Sequence, residues 1–534
     1  MAFTPHTAQL VLLVQMLLPL SAACALLSLG NFRGREKICQ ILQFCLLAGS
    51  LCLTWHTGTS LFREIGAGPL LVRIPLPGNW IGPGILNQLV WRMDLFNAGI
   101  LPFLFLTALT VPAFAPALAD PHERGTGPRT LLLVGSLQLF LAGDDLGSCL
   151  SGGLLAAMLL VPILGQAGGE ERRTAARQFL TTQWVGLMLL AAGIMMAAAA
   201  ISLASAAPRG LPHNVALNLT DLTQGLQSAA IQHSATGILW KELRGVPTLL
   251  IVISFLILSA GFPFHVWLGP TFLNSPLSGR LWVALGVKLA LLVGLRWLGE
   301  LEPEVFPTLR HWGWICVLPG LLFAASQLLG HADFGRILAA AVFWSQQLIL
   351  LGICAGNGSM NTALIPLILA QQAGLVLLII SLSTLSARYQ SFELASFQGL
   401  AERATWLRPA LLCSIFTLTL TPLPSGLLQA WVLFTSLQNE TGWTALLGWG
   451  ACVAANLMAL AGLIRIVHRL VTGPVREPVI PVPLRDRVAV PVQEISLTLN
   501  SWQTGLLVLW GTVALGAGTL LTLVLRAGAA QGTP

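Results

Sequence analysis

Three lysines occur in the chain, and one of them, Lys288, falls in the middle of the apolar string LWVALGVKLALLVGLRW. An ammonium at the centre of a bilayer costs about 2.5–3.5 kcal/mol on insertion scales, so an ionisable residue at that depth is a candidate for ion movement. The alternatives are a structural ion pair and a side chain snorkelling to the surface. Lys288 stands about two turns from either end of its span, which disfavours the second. Asp144 and Asp145 are adjacent, between the apolar strings TLLLVGSLQLFLAG and LGSCLSGGLLAAML. Two neighbouring carboxylates in a poorly polarisable setting resist being charged together, a property that suits a proton site. A tight external turn with solvated carboxylates and an N-cap for the next helix fits Asp144 equally well; Asp145 is the better candidate for a membrane-facing charge.

His265 follows Pro263 in the string SAGFPFHVWL. Imidazole exchanges protons near neutrality, whereas a lone membrane histidine also reads as a hydrogen-bonded packing residue. Pro263 removes a backbone donor within the bilayer, which is tolerated only where protein or water satisfies the freed carbonyl. A second interruption, LTLTPLPSGLLQAW, carries Pro422, Pro424 and Gly426. In ADFGRIL, Asp333 and Arg336 stand one turn apart at a helix start, either as a surface cap or as a coupling pair.

The elements that must position these groups follow from composition. Of 534 residues 55% are hydrophobic and 9% charged, and mean hydropathy is +0.78; a water-soluble chain carries roughly a quarter charged residues. The chain therefore reads as an all-α integral membrane protein whose first partner is the lipid bilayer. Fourteen apolar runs are long enough for transmembrane helices, near 9–29, 38–58, 95–118, 130–143, 146–165, 178–206, 246–268, 280–298, 312–329, 335–356, 362–385, 408–436, 443–467 and 502–526. The first is not a signal peptide by its pattern, because no basic residue precedes Arg33. The Pro/Gly breaks fall in the seventh and twelfth runs, five apart, which is the mark of an inverted-repeat transporter with its path beside the broken helices.

The net charge of +7 does not point to nucleic acid. Counting residues at span ends with their loops, the odd-numbered connections hold 18 Lys and Arg and the even ones with both tails hold 9. The positive-inside rule then places both termini on the outer face. The long 59–94 and 207–245 connections lie outside, and the Pro-rich 471–500 segment forms an extended strap inside. The nine cysteines sit singly in or beside apolar runs, so no metal centre is expected. No phosphate loop, dinucleotide glycine pattern or Ser/His/Asp constellation is legible, and no cofactor or catalytic site is expected in this chain.

The stretch SAGFPFHVWLGPTFLNSPLSGRLWVALGVKLALLVGLR resembles the seventh-to-eighth helix signature of the antiporter-like subunits L, M and N of respiratory complex I. The same family includes subunits of Mrp-type cation antiporters, membrane hydrogenases and inorganic-carbon uptake complexes. WRMDLFNAGILPF, AARQFL, HADFGRILAAAVFWSQ and ELASFQGLAERATWLRPALLCSIFTLTLTPLPSGLLQAW support the resemblance in family order, over roughly residues 90–440. It implies two inverted five-helix repeats (helices 4–8 and 9–13), each with a proton half-channel, joined by a central row of charged residues. The chain would divide into helices 1–3 (1–129), the first repeat (130–298), the second repeat (299–470), and a cytoplasmic strap with the last helix (471–534).

By position, Asp145 resembles the family's helix 5 glutamate, Lys288 its helix 8 lysine, and His265 the histidine of the PFH-x-WL motif. The chain departs from the pattern at Leu258, where the family carries the helix 7 lysine, and at Ala430, where it carries the helix 12 lysine or glutamate. The eleventh run, TALIPLILAQQAGLVLLIISLSTL, has no ionisable group. The expectation is a proton-translocating subunit of a complex I-type NADH:quinone oxidoreductase or related assembly in the inner (cytoplasmic) membrane. Asp145, Lys288 and His265 form its remaining relay, protons or other monovalent cations are its cargo, and other membrane subunits hold the redox chemistry. The rival reading is a membrane scaffold or coupling subunit of an inorganic-carbon uptake or Mrp-like complex.

Overall fold

The computed structural model describes residues 5–28, 38–50, 70–75, 88–93, 95–114, 127–165, 169–205, 217–220, 222–223, 244–301, 305–355, 361–389, 391–400, 403–419, 443–475 and 499–529, with positions 421, 426 and 430. Lipid cannot satisfy backbone donors and acceptors, so apolar segments fold as helices. In chain order these are α1 (Pro5–Ser28), α2 (Ile38–Ser50), α3 (Leu95–Phe114), α4 (Gly127–Ala142), α5 (Leu146–Gly165) and α6 (Glu170–Ser205). α7 (Gly245–Leu258), α8 (Leu268–Asn274), α9 (Leu277–Leu301), α10 (Val305–Gly330) and α11 (Phe334–Ala355) follow. α12 (Asn361–Tyr389), α13 (Leu407–Leu418), α14 (Trp443–Val471) and α15 (Ser501–Ala529) complete the set. Among the described residues six helices are long and apolar enough to cross a membrane, and the protein is a multi-pass membrane protein. α6 starts well before its apolar run, with Glu170 and Glu171 in its first turn, where the helix dipole favours carboxylates.

One element corrects the all-helical expectation. Within the connection expected between the second and third runs, β1 (Leu70–Pro75) and β2 (Gln88–Met93) form an antiparallel hairpin with Val72 opposite Trp91. Trp91 also bridges to Gly143 in the α4–α5 turn. The hairpin is thus paired on one edge with the end of the helical bundle, and an edge that would expose backbone groups is partly covered. Most of the 471–500 strap lies outside the described residues.

Burial sorts the helices. The membrane-length windows of α9, α11 and α12 are 94%, 100% and 100% buried, against 44%, 44% and 39% for α5, α6 and α14. Lipid tails are as apolar as leucine, so peripheral helices need not hide their apolar side chains; Val185, Met195, Leu457 and Ile464 face outward. The polar residues at membrane depth lie instead on the inner helices. α9 touches α3, α4, α5, α7, α8, α10, α11 and α12. Small residues set these approaches: a Cβ at Gly294 of α9 would strike the Phe255 ring of α7, and one at Gly374 of α12 would strike the Thr417 hydroxyl of α13.

Two of these helices are interrupted. α7 stops at Leu258, Ala260 takes a positive φ of 54°, and the chain resumes as a 3-10 turn at Phe264–Trp267 and then α8. Local backbone bonds at the break, from Gly261 N–H to the Leu256 carbonyl (2.7 Å) and from Phe264 N–H to the Gly261 carbonyl (2.7 Å), satisfy some of the groups that the interrupted helix leaves over. α13 stops at Leu418 with Thr419 extended. Pro422 and Pro424 lie outside the described residues. Gly426 is buried, and a Cβ there would strike the backbone of Thr421.

Candidate functional site

The charged groups fall into two regions. At the hairpin end, the Asp144–Asp145 turn between α4 and α5 is buried, with the two residues 0% and 2% exposed, so neither carboxylate is the solvated one of an open turn. Asp145 accepts from the backbone N–H of Val90 on β2 (2.9 Å) and of Ser148 (2.6 Å), capping α5. Asp144 accepts from the hydroxyl (2.7 Å) and backbone N–H (3.2 Å) of Thr220, and Arg92 of β2 stands 3.6 Å away. Arg92 grips Glu300 near the end of α9 through both terminal nitrogens, each contact 2.7 Å, the bidentate geometry that suits guanidinium. Arg296 donates to the carbonyls of Leu141 (2.7 Å) and Gly143 (2.6 Å), meeting the orphan acceptors at the end of α4 and neutralising their partial charge. Two carboxylates, two arginines and Glu300 thereby tie the hairpin, the 217–220 segment, α4, α5 and α9 together.

At mid-membrane, Lys288 is fully buried near the middle of α9, and its ammonium donates to the hydroxyl of Ser345, near the middle of α11. Among the described residues no carboxylate pairs with it. Asp145 lies with the knot around Arg296, which is eight residues, about 12 Å, further along α9. The structure therefore does not bring Asp145 and Lys288 together. Beside Lys288 the polar groups are neutral: Gln346 donates to the Val287 carbonyl (3.3 Å). Gln371 and Gln372 are buried on α12, and Gln347 lies toward Gly320 of α10 and Phe262. A third buried cation of α9, Arg280, lies at its other end, where it donates to the Phe272 carbonyl of α8 (3.0 Å) and to Ser383 of α12 (2.9 Å).

His265 sits in the α7 break as an aromatic partner. Its ring stacks on Phe343 of α11 at 4.1 Å and on Phe262 at 5.7 Å, with Phe323 edge-on at 5.3 Å, geometries that favour ring pairs. Phe343 and Ser345 are two residues apart, so α11 presents roughly opposite faces to His265 and Lys288. Asp333 caps α11 by accepting from the backbone N–H of Gly335 (2.8 Å) and Arg336 (3.2 Å); no ion pair between Asp333 and the Arg336 guanidinium appears among the described residues. Beside it, burial and then the nearby Arg336 and Arg465 hold the His331 imidazole below its usual range, against the opposing pull of Asp333.

Leu258, at the departure from the family pattern, is buried and lines a cavity of ≈ 50 Å³ with Leu137, Phe140, Leu187, Trp267 and Val287. Gln183 and the Trp267 indole are the polar groups in that lining. Ala430 is described, and its side chain is half-buried. Among the described residues no group of three His, Cys, Asp or Glu side chains is placed to hold a metal.

Sequence reasoning missed Arg92, Arg296, Glu300 and the glutamines. The Gln-Gln pairs in FWSQQ and LAQQAG stood at the centre of apolar runs and were the available signal, overlooked in a search for charge.

Residues 150–455, more than half of the chain, match the model of the family described as NADH:quinone oxidoreductase/Mrp antiporter, transmembrane. NADH-quinone oxidoreductase subunit N of Desulfovibrio desulfuricans is 23% identical over 442 residues, covering 78% of this chain and 82% of the relative. A chain in the structure of the Mrp complex from Dietzia sp. DQ12-45-1b superposes with a TM-score of 0.76 at 17% identity, covering 96% of this chain and 95% of that one. At that identity the likeness concerns the fold.

Proposed function

Because the chain belongs to the NADH:quinone oxidoreductase/Mrp antiporter transmembrane family, as an antiporter-like membrane subunit, we propose that it moves protons across the cytoplasmic membrane within a multi-subunit complex, with Lys288 as the group that binds and releases them. The observation that carries this reading is the placement of Lys288: fully buried, mid-helix, on the most enclosed part of the bundle, and bonded to a neutral hydroxyl instead of a carboxylate. A paired ammonium serves a structure by staying charged; one facing only Ser345 is free to exchange its proton. Two inverted five-helix repeats, with breaks at Pro263 and at Pro422–Pro424, would place this lysine at their junction. Both termini would face outward by the positive-inside count. The redox reaction, NADH and quinone belong in this picture to partner subunits.

Asp145 serves here as the anchor of the hairpin, not as the carboxylate that tunes the lysine, because its oxygens already accept backbone N–H groups. His265 serves as an aromatic wedge in the α7 break.

A scaffold reading has one observation of its own: the cavity at Leu258 is apolar, so the first half-path lacks a charged entry. Flux across vesicles containing the assembled complex separates the two. Lys288→Met should lower proton flux by roughly tenfold while the complex still assembles; undiminished flux removes the lysine from the path, and absence of flux in the parent complex selects the scaffold.

A further inference from the structure

At the end of the bundle opposite the hairpin, where Arg280 of α9 reaches Ser383 near the end of α12, three helices bring cationic side chains together. α10 ends at Gly330 and runs into His331, α11 begins at Phe334 with Arg336 in its first turn, and α14 carries Arg465 and Arg469 one turn apart near its own end. Arg465 donates to the His331 carbonyl, and Arg469 donates to the Ala395 carbonyl (2.9 Å). Ala395 belongs to the segment after α12 whose Phe392 and Leu394 pair with Phe334 and Ala332 around the α10–α11 turn. α14 and α10 meet closely just below, since a Cβ at Gly462 would strike the Leu328 carbonyl. Arg336 and Arg465 both act on the His331 imidazole, which burial first and then these two charges hold below its usual range. The three side chains therefore stand around one point where helix ends converge.

The charges at this corner do not cancel. Asp333 is turned to the start of α11, where its Oδ1 accepts from the backbone N–H of Gly335 (2.8 Å) and Arg336 (3.2 Å), and Glu393 is exposed on the neighbouring segment. Three guanidiniums stand against these two carboxylates, and α10, α11 and α14 contain no acidic residue. Among the described residues Arg336 and Arg465 make no ion pair, and Arg465 Nε is buried with no hydrogen bond. A guanidinium presents its donors as a planar fork that matches phosphate oxygens. Because Asp333 already caps α11, an anion here is held by side chains and not by the helix N-terminus.

The surface that continues from this corner to membrane depth is apolar. Ala461 and Met458 lie four and seven residues before Arg465, on one stripe of α14, and Leu322 and Leu329 form a stripe of α10 that ends two residues before His331. All four are half-buried or exposed. Seven residues span about 10 Å along a helix, enough to pass from the headgroup layer into hydrocarbon. An apolar stripe alone is ordinary on a lipid-facing helix; one that leads directly into uncancelled guanidiniums matches a molecule with an anionic head and hydrocarbon tails. We infer that the α10–α14 seam binds an anionic phospholipid, with its phosphate on Arg336 and Arg465 beside His331 and its chains along Leu322, Leu329, Met458 and Ala461. The site is independent of the role of Lys288.

Photo-crosslinking of the intact complex in nanodiscs tests this site. The probe is phosphatidylglycerol with a diazirine on one acyl chain, diluted into phosphatidylcholine, and the adducts are mapped by mass spectrometry. Expected are adducts on the last halves of α10 and α14 that saturate with phosphatidylglycerol, the half-saturating fraction rising about fivefold in Arg336→Gln and further in Arg336→Gln/Arg465→Gln. Arg465 also holds the α10–α11 turn, so Arg336→Gln alone decides if the double variant fails to assemble. Unchanged saturation in Arg336→Gln overturns the site. Equal adducts from phosphatidylcholine carrying the same diazirine chain show ordinary annular lipid and overturn it as well. Loss of the adducts in millimolar inorganic phosphate makes the corner a site for soluble phosphate, and absence of adducts in the parent shows another subunit covering the seam; either result overturns the lipid assignment.

Discussion

The hairpin-end knot and the mid-membrane axis use buried polarity in opposite ways. In the knot, the carboxylates of Asp145 and Asp144 accept backbone or hydroxyl donors, and Arg92 and Arg296 donate to Glu300 and to helix-end carbonyls. On the axis, Lys288 has one hydroxyl partner, and the buried amides of Gln347, Gln371 and Gln372 on α11 and α12 are without hydrogen bonds among the described residues. Several charge-assisted bonds to backbone groups hold a geometry even though Asp144 Oδ1 and Arg296 Nε are left without a hydrogen bond; a single bond to a hydroxyl leaves more room for rearrangement.

The hardest blow to this contrast comes from Arg296→Ala. It strips the Leu141 and Gly143 carbonyls of their donors in a buried setting and should cost about 2–5 kcal/mol, seen as lower melting and yield of the solubilised complex. Normal melting would show that the knot does not hold the fold together. Lys288→Met should do the reverse, leaving melting unchanged while flux falls roughly tenfold, or about 1.4 kcal/mol; a melting loss as large as that of Arg296→Ala would make the lysine structural and erase the distinction. Asp333→Ala removes the α11 cap and should cost about 1 kcal/mol, with Asp333→Ser restoring most of it. The smallest effect belongs to His265→Phe, which keeps the ring stack on Phe343 and should shift stability by no more than about 0.5 kcal/mol; a large flux defect there would return the histidine to the proton path.

The apolar runs announced the helices because length and hydropathy are local properties, and Pro263 announced its break for the same reason. Lys288 was legible because a single charge in such a run has few bland explanations. The meaning of Asp144 and Asp145 was not, since their donors lie 76 and 55 residues away, on Thr220 and Val90. Arg296 was counted as a basic residue at a span end, and only its bonds to the α4 carbonyls reveal that it points inward. The hairpin hid in a connection whose strands gain their pairing from each other and from Gly143, not from a strong pattern of their own.

The clasp on the α4–α5 turn also sets an order of events during synthesis. Val90 has left the ribosome before Asp144 and Asp145 appear, so the hairpin can receive Asp145 as soon as α4 and α5 enter the bilayer. Asp144 must wait for Thr220 and Leu219, on the far side of α6. Until that segment emerges, Arg92 is the one side chain already made among those that face the Asp144 carboxylate in the finished fold.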